Sequence, residues 1–243
     1  QTARETQTFL LPNSSFLNSI QDTHKLYVTS HFEPCSELGG DYWGIKGLEQ
    51  DQVAVLIADF SGHGVNAALN TFRLHALLDY DLETAYNPAA FLENLNARLS
   101  PLLPSGQYAT MFYGVIDPAH NRLRYSSAAS TNPLVILPHK KEPEIGNGSG
   151  FPLGMFDHSS YENRELPFPP DAALFLYSDA VTEGKLISGG RFEVAGLVQL
   201  ISESVAEKDS SQRLATLIRK IDQKFSHPLS DDLTVIYIHR DYR

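Results

Sequence analysis

The sequence predicts an antiparallel α+β fold, and three observations lead there. Segments with strand character come in groups, and helical periodicities come in pairs between them. The strict strand–helix alternation that builds a doubly wound parallel sheet is missing. The order reads strands, two helices, strands, two helices, strand.

Each element follows from local pattern. Residues 1–11 (QTARETQTFLL) read as helical but carry no apolar face of their own, and Pro12 with the polar run Asn13, Ser14 and Ser15 breaks the pattern. Leu26, Val28 and Phe32 sit at alternate positions, which marks a strand over Lys25 to Phe32. Gly39-Gly40 leads into a second strand at Asp41-Tyr42-Trp43. The apolar run Val53-Ala54-Val55-Leu56-Ile57-Ala58 ends at Asp59, as a strand buried on both faces does. After Ser61-Gly62-His63-Gly64 the period changes. Val65, Ala68, Leu69, Phe72 and Ala76 recur at helical spacing. A second helix runs from Pro88 to Leu99, with proline in its first turn, where a missing N–H does no harm.

Strands return at Tyr108–Ile116, Arg122–Ser126 and Leu134–Leu137, separated by Asp117-Pro118 and Asn132-Pro133. Residues 138–170, rich in Pro, Gly, Asn and Ser, read as loops around short extended pieces. Ala172–Ser178 is a further strand that ends at Asp179. Helical windows cover 193–207 and 210–225, and a last strand, Leu233–His239, follows Asp231-Asp232.

Composition bounds the function. The chain has 243 residues, 42% hydrophobic and 20% charged, with 16 Gly and 14 Pro, enough for one large domain or two small ones and inconsistent with disorder. No stretch nears the roughly 20 apolar residues of a membrane span. The single cysteine, Cys35, has no intramolecular partner, which fits a reducing, cytoplasmic setting. Nineteen basic against 29 acidic side chains give a net charge of −10, which repels a polyphosphate backbone and argues against nucleic-acid binding, a metal-dependent nuclease included. The chain opens on Gln1 rather than Met, so a piece of something longer is expected.

The acids are placed unusually. Asp41, Asp59, Asp179 and the pair Asp231/Asp232 each lie at the end of an expected strand, beside Gly, Ser or another Asp. Strand ends present side chains at one rim of a rigid scaffold. Carboxylates gathered there repel unless cations neutralise them, and Mg²⁺ or Mn²⁺ prefer such oxygen ligands. A lone aspartate more often caps a turn or helix, and composition does not show convergence.

Four blocks occur in order: Gly39-Gly40-Asp41-Tyr42-Trp43, Ile57-Ala58-Asp59-Phe60-Ser61-Gly62-His63-Gly64, Leu176-Tyr177-Ser178-Asp179-Ala180-Val181-Thr182-Glu183, and Ser230-Asp231-Asp232-Leu233-Thr234-Val235. Together they resemble the bacterial SpoIIE/RsbU-type branch of the PPM family, the metal-dependent protein phosphatases related to type 2C. Tyr108-Ala109-Thr110-Met111-Phe112-Tyr113-Gly114 and Phe151-Pro152-Leu153-Gly154-Met155 add to the likeness. So does Ala3-Arg4-Glu5-Thr6-Gln7, similar to the end of the linker helix below an upstream module.

The resemblance implies a four-layer α-β-β-α sandwich, with a central antiparallel β-sandwich flanked by helix pairs. Residues 1–12 would end a linker from a missing upstream sensor or receiver domain, and 13–243 would form the phosphatase domain. It implies two divalent cations, Mn²⁺ or Mg²⁺, bridged by Asp59. The Phe60 carbonyl, Asp41, Asp179 and Asp231 would complete the set, with Asp232 as a substitute for Asp231. Asp59 and Asp179 would be the catalytic carboxylates. The implied reaction is hydrolysis of phosphoserine or phosphothreonine by a hydroxide held between the metals, with no phosphoenzyme. The implied partner is a phosphorylated regulatory protein of the anti-sigma-factor antagonist kind, and the linker implies a homodimer.

Some residues depart from the pattern. His63 lies four positions after Asp59 and reads as a turn residue rather than a general acid. Ala180 stands where Gly is usual, and Ala129-Ser130 replace the common Gly-His. A denied positive φ at Ala180 would reduce activity. These departures motivate an alternative: a weakly active or inactive module on the same fold that binds and sequesters its partner. Cys35 reads as a neutral thiol, since no flanking cation lowers its pKa.

Overall fold

The computed structural model describes residues 3–62, 64–78, 84–205, 207 and 209–241. Two short helices open the chain, α1 (Ala3–Thr8) and α2 (Ser14–His24). The helical pattern is interrupted before Ser14, as the sequence predicts, but the expected loop residues Ser14 and Ser15 already belong to α2. Asn13 is extended and its side chain accepts from Phe16 N, so the polar run that follows the end of α1 also caps a new helix. Three strands follow, β1 (Leu26–Glu33), β2 (Asp41–Gly47) and β3 (Val53–Phe60). Next come α3 (Val65–Leu78) and α4 (Pro88–Leu99), the latter capped by Asn87. The middle of the chain supplies β4 (Ala109–Asp117), β5 (Arg122–Ala128), β6 (Leu134–Ile136), β7 (Glu144–Ile145), β8 (Arg164–Pro167) and β9 (Ala173–Tyr177). The one-turn helix α5 (Ala180–Glu183), α6 (Val194–Val205), α7 (Ser210–Asp222) and β10 (Leu233–Arg240) complete it.

The strands form two five-stranded sheets, ordered β1-β10-β9-β6-β7 and β2-β3-β4-β5-β8, with every pairing between them antiparallel. The doubly apolar character of β3 shows why they stack. Val53, Val55 and Ile57 pack against Leu174, Leu176, Ile236 and Ile238 of the other sheet. Ala54, Leu56, Ala58 and Phe60 point the other way, onto Leu74 of α3 and Leu92 and Leu95 of α4. On the far side, Phe175, Tyr177, Val235 and Tyr237 meet Leu197 and Leu200 of α6 and Leu217 and Ile221 of α7. Three apolar seams therefore separate four layers, helices–sheet–sheet–helices, as the family resemblance implied. Period-two alternation in strands covered on both faces leaves few polar positions.

Those few positions matter. β2 begins at Asp41 and β3 ends at Asp59-Phe60, and their antiparallel register sets Asp41 opposite Asp59. In the second sheet, β9 ends just before Ser178-Asp179, while β10 begins just after Asp231-Asp232. Both sheets thus turn acidic at the same rim.

Candidate metal centre

Hydroxyls tie the ends of β9 and β10 together at this rim, and one of them reaches the other sheet. Ser178 N donates to Thr234 O and Thr234 N donates to Ser178 Oγ, each at 2.9 Å, while Ser178 Oγ donates to Asp232 O at 2.8 Å. Thr234 Oγ1 reaches across the sandwich to donate to Asp41 Oδ2 at 2.5 Å. Asp41 is buried, and that hydroxyl orients its carboxylate toward the seam. Sequence reasoning passed over Thr234. The available signal was one polar residue inside an otherwise apolar buried run, Leu233–Ile238.

Each of the five candidate carboxylates comes within electrostatic reach of at least two others, Asp41 of Asp59 and Asp232, and Asp59 and Asp179 of Asp231 and Asp232. Burial, then the Asp59 charge, pushes Asp41 well above the ordinary carboxylate range. Asp59 is raised to about 8, first by burial and then by Asp179, Asp231 and Asp232. Asp179 is raised to about 6 by burial, then Asp231 and Glu183. Desolvation and like charge both disfavour the ionised form. Without compensating cations this cluster holds protons that isolated carboxyls would release.

Asp231 and Asp232 are adjacent but differ in task. Asp232 is buried, and its two oxygens accept from Cys35 N at 2.8 Å and Gly40 N at 2.6 Å, pinning the turn that leads into β2. Asp231 is half-buried and lies beside Asp59 and Asp179. This division favours Asp231 as the ligand and leaves Asp232 to hold the backbone.

The two glycines before Asp41 leave the space that such a centre requires. A Cβ on Gly39 would sit 2.7 Å from Asp232 Oδ2, and one on Gly40 would sit 2.9 Å from the Phe60 carbonyl oxygen and 3.4 Å from Asp59 Oδ1. The Phe60 carbonyl therefore faces the glycine turn alongside the Asp59 carboxylate. An all-oxygen donor set of carboxylates and one carbonyl, cleared of side-chain bulk, fits Mg²⁺ or Mn²⁺. Among the described residues, the three ligand atoms that lie within 4.8 Å of one another are Cys35 Sγ and one oxygen each of Asp231 and Asp232, while Asp41, Asp59 and Asp179 do not join so tight a group. Burial, then Asp232, raises the Cys35 thiol to about 12, so it stays protonated and is a poor partner for a hard cation.

Residues 49–241 match the family described as Stage II sporulation protein E (SpoIIE). This chain belongs to the SpoIIE family. It is 26% identical over 163 residues to phosphoserine phosphatase RsbP of Bacillus subtilis (strain 168), covering 65% of this chain and 40% of that protein. To phosphoserine phosphatase RsbU of the same organism it is 24% identical over 207 residues, covering 85% and 61%. The chain thus spans less than two thirds of the length of these relatives. Its fold is that of the SiaA-PP2C domain of Pseudomonas aeruginosa, with a TM-score of 0.81 at 20% identity over 98% of this chain and 94% of that one. The PP2C phosphatase domain of Bacillus subtilis SpoIIE, solved with a fragment of its regulatory domain, superposes with a TM-score of 0.74 at 17% identity, over 90% and 62%.

Two departures from the family pattern resolve differently in this SpoIIE-family chain. Ala180 opens the right-handed α5 directly after Asp179 (φ −64°, ψ −23°) and is absent from the positive-φ residues, so the expected backbone penalty there does not arise. Ala129 does carry one, with φ at 57°. It lines a cavity of about 50 Å³ together with Asp59, Thr110, Ser130, Thr131 and Asp179. His63 lies outside the described residues.

Proposed function

We propose that this SpoIIE-family chain is a Mn²⁺- or Mg²⁺-dependent protein serine/threonine phosphatase. It acts in the cytoplasm on phosphoserine or phosphothreonine of a regulatory protein of the anti-sigma-factor antagonist kind. The observation that carries this reading is the meeting of Asp41, Asp59, Asp179 and Asp231 at one rim, where burial and mutual repulsion raise Asp59 to about 8. Such a cluster is costly unless positive charge neutralises it. The relatives named as phosphoserine phosphatases supply the reaction class.

In this reading Asp59 bridges two cations, which its pairing with Asp41 on the neighbouring strand and its nearness to Asp179 and Asp231 of the opposite sheet support. The Phe60 carbonyl adds a neutral donor beside it. Thr234 fixes the Asp41 carboxylate, and Asp232 holds the Gly39–Gly40 turn open. When bound, two such cations supply Lewis acidity that acidifies a water and offsets charge on the phosphoryl oxygens. The Cys35 thiol beside the rim is held protonated and does not serve as a nucleophile in this reading. Residues 13–243 form the catalytic unit in this reading. Residues 1–12 end a linker from an upstream sensor or receiver domain, through which two copies pair.

The test is release of phosphate from para-nitrophenyl phosphate and from a phosphoserine protein with Mn²⁺. Activity is expected to vanish with EDTA and to fall at least about 100-fold in Asp59→Asn. Turnover that survives chelation would refute the metal centre. The sequestering alternative loses one of its two motives, since Ala180 imposes no backbone strain.

A further inference from the structure

Three uncharged segments meet beside the acidic rim. Phe60, at the end of β3, pairs with Ala109 of β4. On its other side Ala109 exchanges backbone hydrogen bonds with Leu153, at 2.9 and 2.8 Å. The segment carrying Leu153 is therefore two strand spacings, about 10 Å, from the strand that bears Asp59. Tyr108 is tied to the residue after Phe60 in both directions. Ser61 N donates to Tyr108 O at 2.9 Å, and Tyr108 N donates to Ser61 Oγ at 3.0 Å. Asn70 Nδ2 donates to Gln107 Oε1 at 2.7 Å, which brings α3 onto the same side.

These segments share a composition. Residues 60–72, 99–116 and 145–156 contain no Asp, Glu, Lys or Arg, in a chain that is 20% charged. Most of the large apolar side chains exposed among the described residues also collect here. Val65 is 63% exposed and Leu69 50%, one turn apart on α3. Phe151 is 56% exposed and Phe156 50%, with their rings edge-to-face at 5.3 Å, and Met155 stands between them in sequence. A free surface seldom gathers such groups without a use for them, whereas interface cores are depleted in charge and enriched in Phe, Tyr and Met.

We propose that this surface docks the folded phosphoprotein substrate, seating an apolar patch of the partner so that its phosphoserine reaches the acidic rim. The inference rests on the phosphatase reading above and adds how the substrate is chosen. A second copy of this chain fits the surface less well, because two copies covering each other's patch would shut both rims. A short peptide is also a poor occupant, since a specific interface buries about 1,200–2,000 Å². With a net charge of −10 the chain repels an acidic partner surface at long range, so apolar contact is left to supply recognition.

The test compares the wild type with two double variants, Phe151→Ser/Met155→Ser and Val65→Ser/Leu69→Ser, all at exposed positions. The probes are a serine-phosphorylated anti-sigma-factor antagonist and para-nitrophenyl phosphate, both with Mn²⁺, and Kd for the phosphoprotein is measured separately by titration calorimetry. For each variant Kd is expected to rise by about 10- to 100-fold. KM for the phosphoprotein should rise in step, while turnover of para-nitrophenyl phosphate stays within about twofold. An unchanged Kd, an equal loss on both substrates, a shift in oligomeric state by light scattering, or no binding by the wild type would each overturn the inference. Should the wild type bind the phosphoprotein but hydrolyse neither probe, the phosphatase reading fails, and the Kd comparison still decides the surface.

Discussion

Asp41 and Asp59 stand directly opposite one another on neighbouring antiparallel strands, like charges in a position where sheets place complementary pairs. The arrangement is unfavourable as an isolated feature of β2 and β3. Asp41 accepts the Thr234 hydroxyl, and both carboxyls are pushed toward protonation. Protonation relieves the pair at low pH, and bound cations would relieve it where both carboxyls ionise.

This sets the pH dependence of stability without cations. A carboxyl whose pKa is higher in the folded than in the unfolded chain keeps its proton in the folded state between the two values. The folded chain then binds more protons, so the free energy of unfolding falls as pH rises through that interval. For Asp59 the interval runs from 3.8 to about 8, and for Asp179 from 3.8 to about 6. In EDTA the melting temperature is expected to drop between about pH 5 and pH 8, and excess Mn²⁺ should remove most of that slope. Superimposable melting curves with and without Mn²⁺ at pH 8 would contradict it.

The adjacent acids on the last motif separate by a second measurement. Asp232→Asn weakens charge-assisted bonds to Cys35 N and Gly40 N, so it should cost about 1–3 kcal/mol in urea unfolding of the cation-free protein. Asp231→Asn removes a half-buried like charge beside Asp59 and Asp179 and should leave that stability unchanged or higher. Mn²⁺ affinity should show the reverse emphasis, with the larger loss at Asp231. If Asp232→Asn abolishes binding and Asp231→Asn spares it, the two roles are exchanged.

How far these features could be read from sequence follows from the range of the interactions behind them. β3 and α4 were legible because their signals are local: an apolar run stopped by Asp59, and a helical period opened by Pro88. α2 was not legible, because Asn13, Ser14 and Ser15 are the residues both of turns and of helix caps, and only the Phe16 N–H decides between them. The acids were legible one by one as strand-end residues. Their meeting was not, since Asp41 touches Thr234 across 193 positions of chain. The different tasks of Asp231 and Asp232 likewise depend on where Cys35 and Gly40 lie in space.

Ala129 is a place where this chain carries a removable cost. Its φ of 57° is left-handed, a conformation that costs an L-residue with a Cβ about 1–2 kcal/mol relative to glycine. Glycine's greater freedom in the unfolded chain returns part of this. Ala129→Gly is therefore expected to raise stability by up to about 1 kcal/mol, visible as a higher denaturation midpoint at an unchanged slope. A lowered midpoint would mean that the methyl group packs usefully in the cavity beside Asp59 and Asp179.

The side-chain amide of Gln7 joins the first helix to the acidic rim. Gln7 is buried although it lies on a short helix whose other residues are exposed. Its Nε2 donates to Gly39 O at 2.6 Å, and its Oε1 accepts from Gly39 N at 3.0 Å. The amide thus holds both backbone groups of a residue that touches Asp232 and precedes Gly40 and Asp41. Removing it strips two buried peptide groups of their partners and loosens the turn against which the Phe60 carbonyl and Asp59 are set. Gln7→Ala should therefore destabilise the chain by about 1–3 kcal/mol. Acting as a support for the donor set, it should also weaken Mn²⁺ binding by about 10- to 100-fold. Gln7→Glu keeps the acceptor but loses the donor and adds a negative charge, so it should be at least as damaging to stability in EDTA. Calorimetric Mn²⁺ titration alongside urea unfolding separates the two effects. Mn²⁺ affinity that is untouched in Gln7→Ala would show that the Gly39–Gly40 turn holds its shape without α1.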